Sequence, residues 1–248
     1  MASGDILMSN FSIKVYAGIG RAWNRFYRFL GKFFGASKVK LNLPKFDIVS
    51  AVIFLYQNRL YDRIRSLDGD IVECGVGRGR TLLFWTMLSY DEGRQRHVWG
   101  FDSFEGFPEP AAQDASPRDA QKGEWDVTSI QSVVDLLVSA RLAYPWVCAT
   151  TTLVQGFFED SLSKYTGKQI ALLHIDADLY QSYKTVLETF YDKVQPGGVI
   201  AIDEYMDTFD HMNFPGAKKA VDEFLANRHI QADIVRDVAS GKYYFIKP

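Results

Sequence analysis

The stretch that most constrains this chain is residues 70–81, with the sequence DIVECGVGRGRT. An apolar strand over residues 70–74 runs into a turn with glycines at 75, 77 and 79, and a helical pattern follows over residues 81–90. Glycines let the chain turn tightly and let a ligand approach the backbone, while the free N–H groups of the helix start attract polar groups. The pattern predicts a strand-turn-helix unit that holds a small polar ligand.

An acidic residue at the end of the next strand narrows the class of ligand. Asp102 ends the segment HVWGFD and lies 23 residues after Gly79. Nucleotide-binding units place a carboxylate at this distance to accept hydrogen bonds from the ribose hydroxyls. A glycine turn alone is also common in ordinary loops, but this combination of strand, helix and acid favours a nucleoside-type cofactor.

The remaining pattern alternates strands with helices. Apolar runs and helical periodicity predict a helix at 47–67, a helix at 128–144 capped by Thr128, a strand at 146–154, a strand at 170–176, a helix at 182–194, a strand at 198–203 and a helix at 215–228. The end of the chain alternates around a Ser240-Gly241 turn and predicts an antiparallel hairpin. The fold class is therefore α/β: a doubly wound, mostly parallel Rossmann-like sheet with helices on both faces and a C-terminal antiparallel hairpin.

Charge divides the chain into two predicted domains. Residues 1–45 contain eight Lys or Arg and one acidic residue, so we expect a basic helical extension there and a catalytic domain over 46–248. Within it, residues 21–34 form a basic amphipathic helix that either packs on the body or a second subunit, which we favour, or makes peripheral membrane contact. The overall net charge of −2 indicates no nucleic-acid partner.

Several features indicate a cytoplasmic protein. Cys74 and Cys148 fall in predicted buried strands without metal-ligand spacing, which suits a reducing compartment. No apolar run is long enough to span a membrane, and the N-terminus has no signal-peptide pattern. No G-x-S-x-G nucleophile turn occurs, which disfavours hydrolytic catalysis. The long loop after Asp102, rich in Pro, Gly and charge, is typical of a lid or binding loop.

Carboxylates follow two neighbouring strands in the second half of the chain. Asp176 and Asp178 end one strand, and Asp203 and Glu204 end the next. Strand ends of this kind share the ligand crevice, and gathered carboxylates repel one another unless a cation neutralises them. We therefore expect a divalent ion, Mg²⁺ before Ca²⁺ or Mn²⁺, on Asp176, Asp203 and Glu204; the alternative is that some of these acids cap helices. We expect His174 to be a core histidine.

Six stretches together resemble a known family. They are DIVECGVGRGRTLL, VWGFDSFEGFP, VQGFFEDSL, ALLHIDADLYQSY, GGVIAIDEY and PGAKKAVDEF, in order from about residue 70 to 228. They are similar to class I S-adenosylmethionine-dependent methyltransferases of the macrocin O-methyltransferase type, which modify sugars in antibiotic biosynthesis. The resemblance implies an O-methyltransferase that uses S-adenosylmethionine and Mg²⁺ on a hydroxyl of a sugar-containing small molecule. We also expect a homo-oligomer.

The resemblance implies roles for individual residues. Asp178 is implied as the general base, with Asp176, Asp203 and Glu204 as the Mg²⁺ ligands. Cofactor contacts are implied at the methionine end, the ribose and the adenine, at Glu73, Gly75, Gly77, Thr81, Asp102, Ser103, Gly156, Phe157 and Asp176. This chain has Asp203-Glu204 where many relatives have Asp-Asp, and it inserts MDTFDHMN before FPGAKKAV, which leaves the acceptor open.

Other functions compete with sugar methylation. A catechol-like phenol also offers two neighbouring oxygens to a metal ion. An NAD-dependent oxidoreductase would use the same glycine turn but gives the carboxylates no role, and a non-catalytic membrane-associated binding protein would make residues 21–34 the functional centre.

Overall fold

The computed structural model describes residues 47–206 and 213–248. The strands are β1 Asp70–Cys74, β2 Val98–Asp102, β3 Thr151–Gln155, β4 Ile170–Ile175, β5 Val194–Ile202, β6 Val235–Arg236 and β7 Tyr243–Ile246. The α-helices are α1 Ile48–Ile64, α2 Arg80–Glu92, α3 Ile130–Ser139, α4 Tyr144–Thr150, α5 Phe158–Ser161, α6 Tyr180–Phe190 and α7 Pro215–Asn227. In this part of the chain, every helix is too short or too polar to cross a lipid bilayer.

The strands form one sheet in the order β3-β2-β1-β4-β5-β7-β6. The strands β1 to β5 are parallel, and β7 pairs antiparallel with both β5 and β6. The chain reverses its direction of travel across the sheet between β1 and β4, and ligands of open α/β sheets bind in the crevice at such a point. The predicted doubly wound sheet with its terminal hairpin is confirmed.

Side chains of alternate strand residues build the two halves of the core. One half joins Ile71, Leu172 and Ala201 to α1 and α2, and the other joins Val72, Leu173 and Ile200 to α6 and α7. Because successive residues of a strand point to opposite faces, Glu73, His174 and Asp203 belong to the α1 and α2 face. Trp85 of α2 is fully buried in that half, as predicted.

Two helices begin at a residue whose side chain caps the free N–H groups of the first turn. The side chain of Asp47 accepts a hydrogen bond from the backbone of Ser50 at 2.8 Å and caps α1. The predicted cap of α3 was one residue too early: Ser129, rather than Thr128, has extended backbone and accepts from Ser132. An N-cap must stand immediately before the first helical residue, here Ile130, to reach the free N–H groups of the first turn.

The predicted strand at 146–154 was wrong in its first half. Residues 144–150 form α4, with Pro145 in its first turn, and only Thr151–Gln155 is a strand. Proline suits the first turn of a helix, and Trp146 and Val147 pack on apolar residues of α2 and α3. Cys148 is consequently exposed on α4, in contrast to the prediction, whereas Cys74 is buried in β1 as predicted.

The predicted basic helix at 21–34 and residues 207–212 of the insertion MDTFDHMN lie outside the described residues.

Candidate active site at the ends of β1 and β4

The glycine turn after β1 lies against the end of β4. A side chain at Gly75, whose φ is +95°, would collide with the carbonyl oxygen of Asp176. Gly77, with φ of +50°, has no atom of the described residues within 4 Å of the position that a Cβ would occupy. Gly75 therefore lets two strand ends approach, while Gly77 leaves open space beside the turn.

Asp102, at the end of β2, holds this turn in place through a hydrogen bond to its backbone. Its Oδ2 accepts a hydrogen bond from the Gly77 backbone at 2.8 Å, and its Oδ1 accepts one from the Phe104 backbone at 2.7 Å. Hydrogen bonds to an ionised carboxylate are among the stronger ones in proteins. The carboxylate is only partly buried, and each oxygen has a further lone pair for a ligand hydroxyl.

The other predicted cofactor residues line the same edge of the sheet. Gly156 and Phe157 follow β3, and the Gly156 N–H donates to the Asp102 carbonyl at 2.9 Å. The Ser103 hydroxyl closes a local turn by donating to the Gly106 carbonyl at 2.8 Å. Thr81 is partly buried in the first turn of α2. The structure thus brings the ends of β1, β2 and β3 together, as their parallel order requires.

Glu73 and His174 form a buried pair beneath the turn. They are register partners on β1 and β4, and Glu73 Oε1 lies 3.3 Å from His174 Nδ1. Glu73 Oε2 is buried without a hydrogen-bond partner among the described residues. Burial raises the pKa of Glu73 to about 7, although the His174 hydrogen bond opposes this shift.

The neighbouring carboxylates favour the protonated form of His174. Burial alone would lower its pKa, but the carboxylates of Asp203 and Glu73 raise the pKa to about 10. The ring also packs edge-on against Trp85, with centroids 5.9 Å apart. His174 is thus a core histidine, as expected, and it also contacts the acidic cluster described next, with Nε2 at 3.9 Å from Asp203 Oδ1.

Asp176 and Asp203 form the centre of an acidic cluster. One ligand-type atom from each of His174, Asp176 and Asp203 lies within 4.8 Å of the others. Burial and the neighbouring charges of Asp203 and Asp178 raise the pKa of Asp176 well above its usual value. Burial would also raise the pKa of Asp203, but His174 and the Lys242 ammonium outweigh it and hold this pKa well below the usual range.

Glu204, the third predicted ligand, points to the opposite face of the sheet and is not among the residues whose ligand-type atoms lie within 4.8 Å of one another. Consecutive residues at a strand end point in opposite directions, and its Oε2 lies 2.8 Å from the Tyr183 hydroxyl on α6. The same oxygen accepts a hydrogen bond from the Asp178 backbone at 3.2 Å. Burial and the charges of Asp178 and Asp176 raise the pKa of Glu204 well above its usual value.

Asp178 stands where the chain leaves β4 for α6. Its φ of +57° lies in the left-handed region, which non-glycine residues seldom adopt and which is frequent at functional sites. The side chain is partly buried. Asp178 thus lies next to both predicted metal-binding strand ends, within electrostatic reach of Asp176 and Glu204.

The long loop after β2 is anchored beside Asp178. Asp114 is buried and accepts from the Tyr180 backbone at 2.7 Å, which caps α6. Arg118 lies over the rings of Phe107 at 5.6 Å and Phe214 at 4.9 Å. Phe107 and Phe214 belong to an apolar cluster with Leu179, the residue after Asp178. Sequence analysis missed this anchoring because Asp114 looks like any acidic residue of a polar loop.

This chain is similar to proteins of one known family over most of its length. The macrocin-O-methyltransferase (TylF) family matches residues 60–245. Demethyldecarbamoylnovobiocin O-methyltransferase of Streptomyces niveus is 30% identical over 181 residues, covering 72% of this chain and 66% of that protein. Mycinamicin III 3''-O-methyltransferase of Micromonospora griseorubida is 30% identical over 186 residues, covering 72% of this chain and 68% of that protein. The chain thus matches just under two thirds of the first relative's length and slightly more of the second's.

A solved structure with the same fold is that of CalS11, a calicheamicin methyltransferase. It is 25% identical, covers 88% of this chain and 90% of its own, and superposes with a TM-score of 0.71.

Proposed function

This chain belongs to the macrocin O-methyltransferase family, a family of methyltransferase enzymes, and we propose that it transfers a methyl group from S-adenosylmethionine to a hydroxyl of a sugar or glycosylated small molecule. The observation that carries the proposal is the contact between the two predicted sites. The glycine turn after β1 packs directly on Asp176, the first acidic residue after β4. A donor bound at the turn and an acceptor bound at the acidic cluster would therefore be neighbours.

The turn fits the nucleoside part of S-adenosylmethionine. Open space beside Gly77 admits a ligand close to the backbone, and the partly exposed Asp102 has the acceptor capacity for ribose hydroxyls. Gly156 and Phe157 would border the adenine from the end of β3. Glu73 is fully buried, so its proposed role is to shape the floor of the turn.

The acidic cluster fits a hard divalent ion. Its two central residues, Asp176 and Asp203, offer carboxylate oxygens, which Mg²⁺ and Mn²⁺ prefer, and one oxygen of each lies within 4.8 Å of the other. Asp176 and Asp203 would hold the ion, with Glu204 as the third carboxylate. We assign no ligand role to His174, whose ring is held in the core by Glu73 and Trp85.

The protein's own chemical task in this reaction is small. When bound, S-adenosylmethionine would supply the methyl group and the ion would make an acceptor hydroxyl more acidic. Asp178 would accept the hydroxyl proton as the methyl group passes from sulfur to the hydroxyl oxygen, with S-adenosylhomocysteine as the other product. The turn and the acidic cluster would hold the two reactants in line, and orientation of this kind accounts for a large share of many enzymatic accelerations.

Calorimetric titration with S-adenosylmethionine, with NADH as comparator, tests the cofactor assignment. We expect saturable binding of S-adenosylmethionine alone, weakened at least about tenfold in Asp102→Ala because the turn loses its fastening and the ribose its acceptor. Asp91→Ala, an exposed carboxylate near the end of α2, is the matched control and should bind like the wild type. Binding of NADH in preference would refute the proposal.

A screen of acceptors tests the substrate class. Glycosylated natural products and a simple catechol would be incubated with S-adenosylmethionine and Mg²⁺, and the methylated product detected by mass spectrometry. Methylation of the catechol and of no glycoside would overturn the sugar assignment while leaving the methyltransferase assignment intact.

A further inference from the structure

Lys242 reaches the acidic cluster from the C-terminal hairpin. The antiparallel register of β5 and β7 pairs Ala201 with Tyr244 and Ile202 with Tyr243. One step further, this register sets Lys242 opposite Asp203, where side chains of directly opposed residues meet on the same face. The Lys242 ammonium donates to Asp203 Oδ2 at 2.6 Å and to the Asp203 carbonyl at 3.2 Å.

This ion pair differs from an ordinary surface salt bridge. Only 16% of the Lys242 side chain and 21% of the Asp203 side chain are exposed, so solvent screens the pair weakly. Asp203 is also one of the two carboxylates at the centre of the proposed ion site. The same carboxylate group thus faces an ammonium group through Oδ2 in this structure and a divalent ion in the proposed function.

We propose that Lys242 is a positioning residue, a tethered counter-ion that holds the Asp203 carboxylate while the acidic cluster is without a divalent ion and releases this carboxylate when the ion binds. This inference rests on the proposed function of the cluster as a divalent-ion site. Lysine suits the role because its ammonium is a compact charge on a flexible four-carbon stem, which can swing away without disturbing the backbone.

Lys247, at the other end of β7, provides a matched control. Its ammonium donates to the backbone carbonyls of Tyr191 at 2.9 Å and Val194 at 2.6 Å. Neutral groups just before and at the start of β5 therefore anchor it. Lys242→Met and Lys247→Met therefore remove the same charge from the same hairpin, but only the first removes it from the carboxylates.

Two measurements test the proposal, with Mn²⁺ as the probe. In calorimetric or electron-paramagnetic titrations, we expect Lys242→Met to bind Mn²⁺ about tenfold tighter than the wild type, because the competing charge is gone. Urea unfolding in chelator should show Lys242→Met destabilised, and saturating Mn²⁺ should remove the difference from the wild type. Binding and folding are linked, so saturating Mn²⁺ should stabilise Lys242→Met more than it stabilises the wild type. The extra factor by which Mn²⁺ raises the folding equilibrium constant of the variant should equal the fold-increase in its Mn²⁺ affinity.

The controls separate the possible failures. Lys242→Arg keeps the charge and should bind Mn²⁺ as the wild type does, as should Lys247→Met. Mn²⁺ binding by the wild type with equal or weaker binding by Lys242→Met would overturn the role of Lys242 alone. Absence of Mn²⁺ binding by the folded wild type would overturn the divalent-ion site and, with it, this inference. If Lys242→Met folds only in the presence of Mn²⁺, the proposal is supported.

Discussion

Replacing Glu73 by glutamine should stabilise the protein at neutral and alkaline pH. Burial raises the pKa of this carboxyl from 4.5 to about 7, even though His174, 3.3 Å away, favours the ionised form. Asp102 and Asp203 add repulsion that acts in the same direction as burial. Glutamine matches the protonated carboxyl in shape and keeps an oxygen acceptor for His174.

The magnitude follows from the shift. A difference of about 2.5 pKa units at about 1.4 kcal/mol per unit means that ionisation of Glu73 costs the folded state roughly 3 to 4 kcal/mol. Below pH 4.5 the carboxyl is protonated in both the folded and the unfolded chain, so the cost is absent. It grows as the pH rises from 4.5 to about 7, and above that it is fully present.

Urea unfolding from pH 5 to pH 8, followed by tryptophan fluorescence, is the assay. We expect the free energy of unfolding of Glu73→Gln to exceed that of the wild type by roughly 1 kcal/mol near pH 5 and by about 3 kcal/mol at pH 8. Parallel pH profiles for the two proteins would refute the argument, since they would mean that Glu73 titrates equally in the folded and unfolded states.

Glu92→Gln is the matched control with the opposite sign. The Glu92 side chain is only 5% exposed and is thus buried like that of Glu73. Unlike Glu73, it pairs with an arginine, Arg96, at 3.2 Å. Burial alone would raise its pKa, yet hydrogen bonds from Arg96 and Tyr61 outweigh burial and lower the pKa. Ionised Glu92 therefore stabilises the fold above its unfolded pKa, so the glutamine variant should be less stable than the wild type at pH 8.

Two further substitutions test the packing around the site. Gly75→Ala should lower the free energy of unfolding by at least about 3 kcal/mol, because it combines an unfavourable positive φ with a collision against the residue after β4. Gly93→Ala, with positive φ but open space, should lower it by about 1 kcal/mol. Equal losses in the two variants would contradict the predicted collision. Tyr183→Phe should lower the free energy of unfolding by about 2 kcal/mol, because the buried Glu204 carboxyl loses its hydroxyl partner. Urea unfolding that matches the wild type would show that the hydroxyl contributes little there.

Local sequence signals were sufficient for the fold and for the position of the glycine turn. The turn, its helix and Asp102 are specified by spacing within about 30 residues, so one chain segment carries the whole pattern. The strand at 146–154 was mistaken because Val147 and Thr150 have high strand propensity, and the packing of Trp146 and Val147 on other helices decides for a helix.

The arrangement of the acidic residues could be predicted only in part. Strand ends placed Asp176 and Asp203 together, because parallel strands bring their carboxyl ends to one edge of the sheet. The divergence of Asp203 and Glu204 follows from the two-residue period of a strand and could have been anticipated. The pairing of Lys242 with Asp203 could not, because it depends on the register between β5 and β7, which the hairpin turn alone does not determine.

Methyl transfer by Asp178→Asn is the most direct test of the proposed active site. With an accepted glycoside, S-adenosylmethionine and Mg²⁺, turnover measured as S-adenosylhomocysteine formation should fall at least about a hundredfold, since a general base typically contributes 10²- to 10⁴-fold. The calorimetric affinity for S-adenosylmethionine should stay near that of the wild type, because Asp178 follows β4 and lies outside the proposed contacts to the cofactor. Wild-type turnover by this variant would contradict the assignment of Asp178 as the base.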